Sequence, residues 1–91
     1  MLHIVKHYRS LAEAIANTLK DDDLLLVEDA VYAAIKEHKA NAYLVAATSA
    51  PYCLIADLEA RGVILESTQK TVDFVGFVAL TEKHSASITW E

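Results

Sequence analysis

One cysteine, one proline and two glycines among 91 residues exclude a good deal before any motif is read. A lone thiol can form neither an internal disulfide nor a multi-cysteine zinc site, so nothing points to secretion. Gly62 and Gly76 are too few for a phosphate-cradling loop, and GxGxxG, GxxxxGK[ST] and GxSxG are all missing. Basic charge is scarce as well: eight Lys and Arg against thirteen Asp and Glu leave a net charge of −5. Those eight are scattered, whereas gripping phosphates requires a basic patch, so direct nucleic-acid binding is not expected. No apolar run approaches the ~18 residues of a membrane span, and the opening "MLHIVKHYRS" has no apolar signal core. A soluble cytoplasmic protein without membrane contact is the expectation.

What is present is apolar. Residues 1–91 make one domain, and 54% of them are hydrophobic, slightly above the usual share. A small domain has proportionally more surface to cover with polar groups, so this share implies that part of the surface is reserved for a partner.

Strand and helix signals alternate along the chain. "LHIVK" (2–6) reads as a strand. Ser10 is a candidate N-cap for the helix "LAEAIANTLK" (11–20). "DDD" (21–23) is a turn, and "LLLV" (24–27) is a strand covered on both faces. Asp29 can cap a helix over 29–39, with Val31, Tyr32 and Ile35 facing inward. Residues 42–48 are ambiguous between strand and helix. "YCLIA" (52–56) is the better strand, and "DLEARG" (57–62) is one capped turn closed by Gly62. A loop with an edge strand leads to a helix over 72–84 and a last strand, "ASITW" (86–90). The expected fold class is α/β: right-handed βαβ units in a three-layer sandwich, with a mainly parallel central sheet between helical layers.

The last helix is unusual. Phe74, Val75, Phe77, Val78, Ala79 and Leu80 point in nearly every direction around its axis, and a helix apolar all round is buried all round. So small a domain rarely encloses a helix, so its outer side is expected to meet another chain. Phe74, Phe77 and Leu80, with Trp90 close by on the final strand, form the candidate partner interface. Expressed alone, the chain is expected to pair with itself as a homo-oligomer.

Candidate chemistry is thin. Glu28-Asp29 stands at the carboxyl end of a strand, where α/β folds bind ligands. A metal or phosphoacceptor site there needs more acids; Asp57 could join, but Asp21 to Asp23 precede their strand and sit at the opposite edge. A helix cap in a solvated turn is the simpler reading. Cys53, the one possible nucleophile, lies in an aliphatic run and reads as a small core hydrophobe. His3, His7, His38 and His84 include an H-x3-H spacing, but His3 is in a strand, where that spacing does not converge; the four read as scattered surface or capping residues. No catalytic, metal or cofactor-binding residue is assigned.

The stretch "LLLVEDAVYAA" (24–34) nonetheless closely resembles the strand-to-helix signature of the TusB/DsrH family, some form of L-L-x-[EQ]-D-G-V-Y-A-A. "MLHIV", the "DLEARG" turn and the tail "DFVGFVALTEKHSASITW" follow the family's order; the tail is similar to its D-F-V-x-L-T-x-K-H-x-x-x-x-W. There are two departures. Ala30 stands where glycine commonly follows the Asp, and the segment between Gly62 and Val72 is shorter than in the family. The resemblance implies a DsrE/DsrF/DsrH-like fold. It also implies a small subunit of a cytoplasmic sulfur-relay complex with TusC-like and TusD-like partners, serving 2-thiolation of the tRNA wobble uridine. The DsrH branch implies an alternative place in a sulfur-oxidation DsrEFH complex. Some of its members carry a cysteine in the first helix; "LAEAIANTL" has none, so no family thiol carries over. The expected role is a non-catalytic structural subunit. The contrasting reading is a persulfide carrier using Cys53.

Overall fold

A computed structural model of the chain describes residues 1–47 and 49–91. Five strands, β1 (Leu2–Val5), β2 (Asp23–Leu26), β3 (Tyr52–Leu54), β4 (Lys70–Val72) and β5 (Ser87–Trp90), form one sheet in the order β4-β3-β2-β1-β5. Every pairing is parallel, with Ile4 beside Leu25 and Thr89, and Cys53 beside Leu26 and Thr71. The helices are α1 (Leu11–Ala16), α2 (Asn41–Val45), α3 (Ile55–Ala60) and α4 (Phe74–Lys83), with 3-10 segments at Tyr8–Ser10 and Glu28–Ala34.

Crossover handedness distributes these helices. The steps β1→β2→β3→β4 all move the same way across the sheet, so right-handed crossovers stack their helices on one face. The step β4→β5 runs back across the whole sheet and puts α4 on the other. Two cores result. The first joins Val5, Leu24, Leu26 and Cys53 to Leu11, Ala14, Val31 and Leu58; the second joins Leu2, Leu25, Val27 and Leu54 to Leu80 and Phe77 of α4.

Local chemistry explains where elements end. The helix expected over 11–20 stops at Ala16. Asn17 Nδ2 and Thr18 Oγ1 donate to the carbonyls of Glu13 and Ala14, and the Leu19 N–H goes to Asp22 Oδ2 at 2.9 Å instead of back into the helix. Ser10 makes no capping bond; His7 Nδ1 does, accepting the Arg9 N–H ahead of the 3-10 turn. The helix expected over 29–39 is instead the 3-10 segment Glu28–Ala34, starting from Val27 with no side-chain cap. At three residues per turn Ala30 and Ala33 eclipse, and both are fully buried, so their small side chains let the segment lie close on the sheet. Asp29 is therefore not a helix cap.

Residues 42–45 are helical, while Thr48 lies outside the described residues. The β3 strand ends at Leu54 and α3 begins at once, earlier than "DLEARG" suggests. Gly62, at φ 62°, closes α3: its N–H bonds Glu59 O and the next N–H, of Val63, bonds Leu58 O. The short segment after Gly62 does hold an edge strand, β4. The helix expected from 72 begins at Phe74, where Asp73 caps it by accepting the Gly76 N–H at 2.8 Å.

Candidate functional site

Three places bear on function: the thiol, the carboxyl edge of the sheet, and the outer side of α4. Cys53 sits on β3 facing the first core, with no exposed surface. Burial pushes its thiol up to about 12, because a thiolate in apolar surroundings loses its hydration. At neutral pH this group is a protonated core side chain and not a nucleophile.

At the carboxyl edge the fold brings Glu28, Asp29 and Asp57 together, but as an ion-pair lattice. Asp57 Oδ2 accepts the Glu28 N–H at 2.7 Å, holding Glu28 at φ 49°. Arg61 Nε donates to Asp29 Oδ1 at 2.9 Å, and its Nη1 lies 3.4 Å from Asp57 Oδ1. Lys6 Nζ is 3.6 Å from Glu28 and 3.4 Å from Glu91, while His7 Nε2 stands 3.9 Å from Asp29. The two cations are held protonated above their ordinary ranges, Arg61 by its hydrogen bond to Asp29 and Lys6 by the charge of Glu28. Among the described residues no three His, Cys, Asp or Glu side chains are placed to hold a metal ion. The lattice pins the 3-10 segment to α3.

The aspartates expected as a turn over 21–23 lie at the opposite edge, Asp21 and Asp22 before β2 and Asp23 as its first residue, and Asp22 and Asp23 are largely withdrawn from solvent. Asp22 accepts from His3 Nε2 at 3.0 Å, from the Leu19 N–H and from the Met1 ammonium at 2.9 Å. Trp90 Nε1 donates to His3 Nδ1 at 3.1 Å, and since an indole N–H only donates, the His3 ring proton sits on Nε2, toward Asp22. His3, 2% exposed, is thus a fully satisfied core histidine and not a surface one. Asp23 accepts from Lys83 and His84, both at 2.8 Å. Although burial works against it, the Lys83 and His84 bonds hold its carboxyl below the ordinary range. Partners 61 and 87 residues apart in sequence leave no local pattern that could reveal these contacts.

The four candidate interface residues separate. Leu80 is buried inside its own chain, Phe77 is half-buried against the second core, and the Trp90 indole is engaged by His3. Phe74 remains outward at 63% exposed, and its exposed companions are Val75 at 78% and Val78 at 54%. The outward stripe is therefore Phe74–Val75–Val78. A single helix about 10 Å across cannot cover a five-stranded sheet roughly 19 Å wide. Beside α4 a cleft of about 370 Å³ opens between Phe74 and Phe77, the strand residues Ile4 and Leu54, and Val27 just after β2. No described helix is long and apolar enough to cross a membrane.

Comparison with known proteins adds the last observation. A family model described as "DsrH like protein" matches residues 6–87. Protein TusB of Shigella sonnei is 37% identical over 98 aligned positions, covering 99% of this chain and 100% of that protein. Protein TusB of Shigella dysenteriae is 40% identical over 74 positions, covering 76% of this chain and 75% of the relative. Protein TusB of Cronobacter sakazakii is 35% identical over 71 positions, again covering 76% and 75%.

Proposed function

The chain belongs to the DsrH-like family, in which its relatives are TusB proteins, and from that premise we propose that it is a non-catalytic structural subunit of a cytoplasmic sulfur-relay complex. Its partners are TusC-like and TusD-like subunits, and the complex serves 2-thiolation of the tRNA wobble uridine. The observation that carries the reading is the state of the only cysteine. Passing a persulfide sulfur requires a thiolate that attacks the terminal sulfur, and it must be reachable. Cys53 is fully buried, with its thiol pushed up to about 12. A relay step on this chain has no group to act through, so the reacting thiol belongs to another subunit.

The stripe Phe74–Val75–Val78, together with the half-covered face of the sheet, supports the structural side of the role. Three exposed apolar side chains on one helix mark an association surface. The test is thiol labelling, paired with copurification of the TusC-like and TusD-like subunits. Native protein is expected to react slowly with a thiol reagent and rapidly once unfolded in urea, and all three subunits are expected to copurify. Rapid native labelling of Cys53 would instead favour a persulfide carrier.

A further inference from the structure

We propose that the cleft between α4 and the carboxyl edge of the sheet receives a segment of a partner subunit that presents an apolar anchor side chain beside a basic residue. This rests on the subunit reading above and names the chemistry of the contact. Topology marks the place. β3 runs straight into α3 on one face of the sheet, and β4 leads through Asp73 into α4 on the other. In an open parallel sheet the crevice forms where successive connections diverge in this way. Leu54 at the end of β3 and Phe74 at the start of α4 both line it, and Ile4, Val27 and Phe77 complete an apolar lining around about 370 Å³. That volume holds one or two large side chains.

The rim decides what kind of occupant fits. Of the charged side chains that line the cleft, the one cation, Lys6, faces two carboxylates, Glu28 and Asp57, and Lys6 is paired in turn with Glu91. The lining therefore keeps one carboxylate in excess, in a chain that is itself at −5. An approaching Lys or Arg is attracted there and an acidic segment repelled. A polar small molecule, by contrast, finds little to bind. The Glu28 N–H is taken by Asp57, Arg61 by Asp29 and Asp57, and no described buried side-chain nitrogen or oxygen lacks a partner. An apolar lining under an acidic rim is the complement of a hydrophobic anchor flanked by a cation, the usual form of a binding hot spot. Phe74 belongs both to this cleft and to the outward stripe of α4, so one partner surface covers both.

The experiment uses the complex reconstituted with TusC-like and TusD-like subunits. A benzoylphenylalanine cross-linker replaces Thr89, an exposed side chain at the cleft. The control replaces Ile64, which lines a separate cleft with Ala34 and Gln69. Irradiation is expected to join position 89, and not position 64, to a partner peptide in which an apolar residue lies next to Lys or Arg. Thr89→Trp, which fills the cleft, is expected to weaken association about tenfold or more while circular dichroism stays native. Glu91→Lys, at a side chain 80% exposed and paired with Lys6, is expected to weaken it in a salt-sensitive way while circular dichroism stays native. If the complex assembles but position 89 gives no adduct, an adduct with a segment lacking basic residues, or only an adduct between two copies of this chain, the inference is overturned and the subunit reading stands. If the three subunits do not associate at all, the subunit reading fails and the inference fails with it.

Discussion

Removing the Asp22 carboxylate by Asp22→Ala should be far more damaging than removing its neighbour by Asp21→Ala. Asp22 accepts three bonds, from the Leu19 N–H at 2.9 Å, the Met1 ammonium at 2.9 Å and His3 Nε2 at 3.0 Å. His3 is 2% exposed, so without Asp22 its ring N–H is left buried with no water to replace the lost acceptor. An orphaned buried donor costs about 1–3 kcal/mol, and the freed turn at Leu19 adds to it. An overall loss of roughly 2–3 kcal/mol would lower the melting temperature of a domain this size by about 10–20 °C. Asp21 is exposed and its substitution should stay within about 0.5 kcal/mol.

The assay is urea unfolding of the purified variants at one protein concentration, repeated across pH. The Leu19 N–H, then the Met1 ammonium and His3, hold the Asp22 carboxyl well below the ordinary carboxylate range. Its contribution is then fully present above an unfolded value of about 4 and disappears as the pH falls through the folded value. The gap between wild type and Asp22→Ala should therefore be flat from pH 5 to 7 and shrink in stronger acid. Equal stability of Asp21→Ala and Asp22→Ala at pH 7 would refute the reasoning.

Helix capping should be found at Asp73 and not at Asp29. Asp73→Ala is expected to cost about 1 kcal/mol, with Asp73→Ser recovering most of it, since a hydroxyl can also accept the Gly76 N–H. Asp29→Ala should cost less than about 1 kcal/mol, as befits a half-exposed ion pair, and Asp29→Ser should give no recovery, which denaturant midpoints can resolve. Gly76→Ala should destabilise by roughly 1–3 kcal/mol although alanine is the better helix former, because the new Cβ would meet Val72 Cβ at 2.9 Å; an unchanged or raised melting temperature would show that α4 can shift away from β4.

The layered fold was legible because its signal is local. "LLLV" is apolar at every position, as a strand covered on both faces must be, and strand signals alternate with helical ones along the chain. The boundaries were less legible where side chains compete with the backbone, as Asn17, Thr18 and Asp22 do at the end of α1. Helical periodicity also misread residues 29–39, where the chain forms the 3-10 segment Glu28–Ala34, because two alanines three apart favour the tighter 3-10 turn once they are pressed against a sheet. At the candidate site, the sequence identified Cys53 as a core residue and α4 as a helix with too much apolar surface. It could not separate Leu80, turned inward, from Phe74, turned outward, since on a helix apolar all round only packing against the sheet decides which side faces in. The engagement of Trp90 with His3 spans 87 residues and depends on β1 and β5 lying side by side.

The most direct test of a non-catalytic role is sulfur transfer through the reconstituted three-subunit complex carrying Cys53→Ser, with Cys53→Ala as a second variant in case a buried hydroxyl hinders folding. Labelled persulfide sulfur should pass through either variant complex at the wild-type rate, because a fully buried thiol pushed up to about 12 takes no part in the chemistry. Loss of transfer in both variants, with assembly and circular dichroism unchanged, would place a relay step on Cys53 and end the structural-subunit reading.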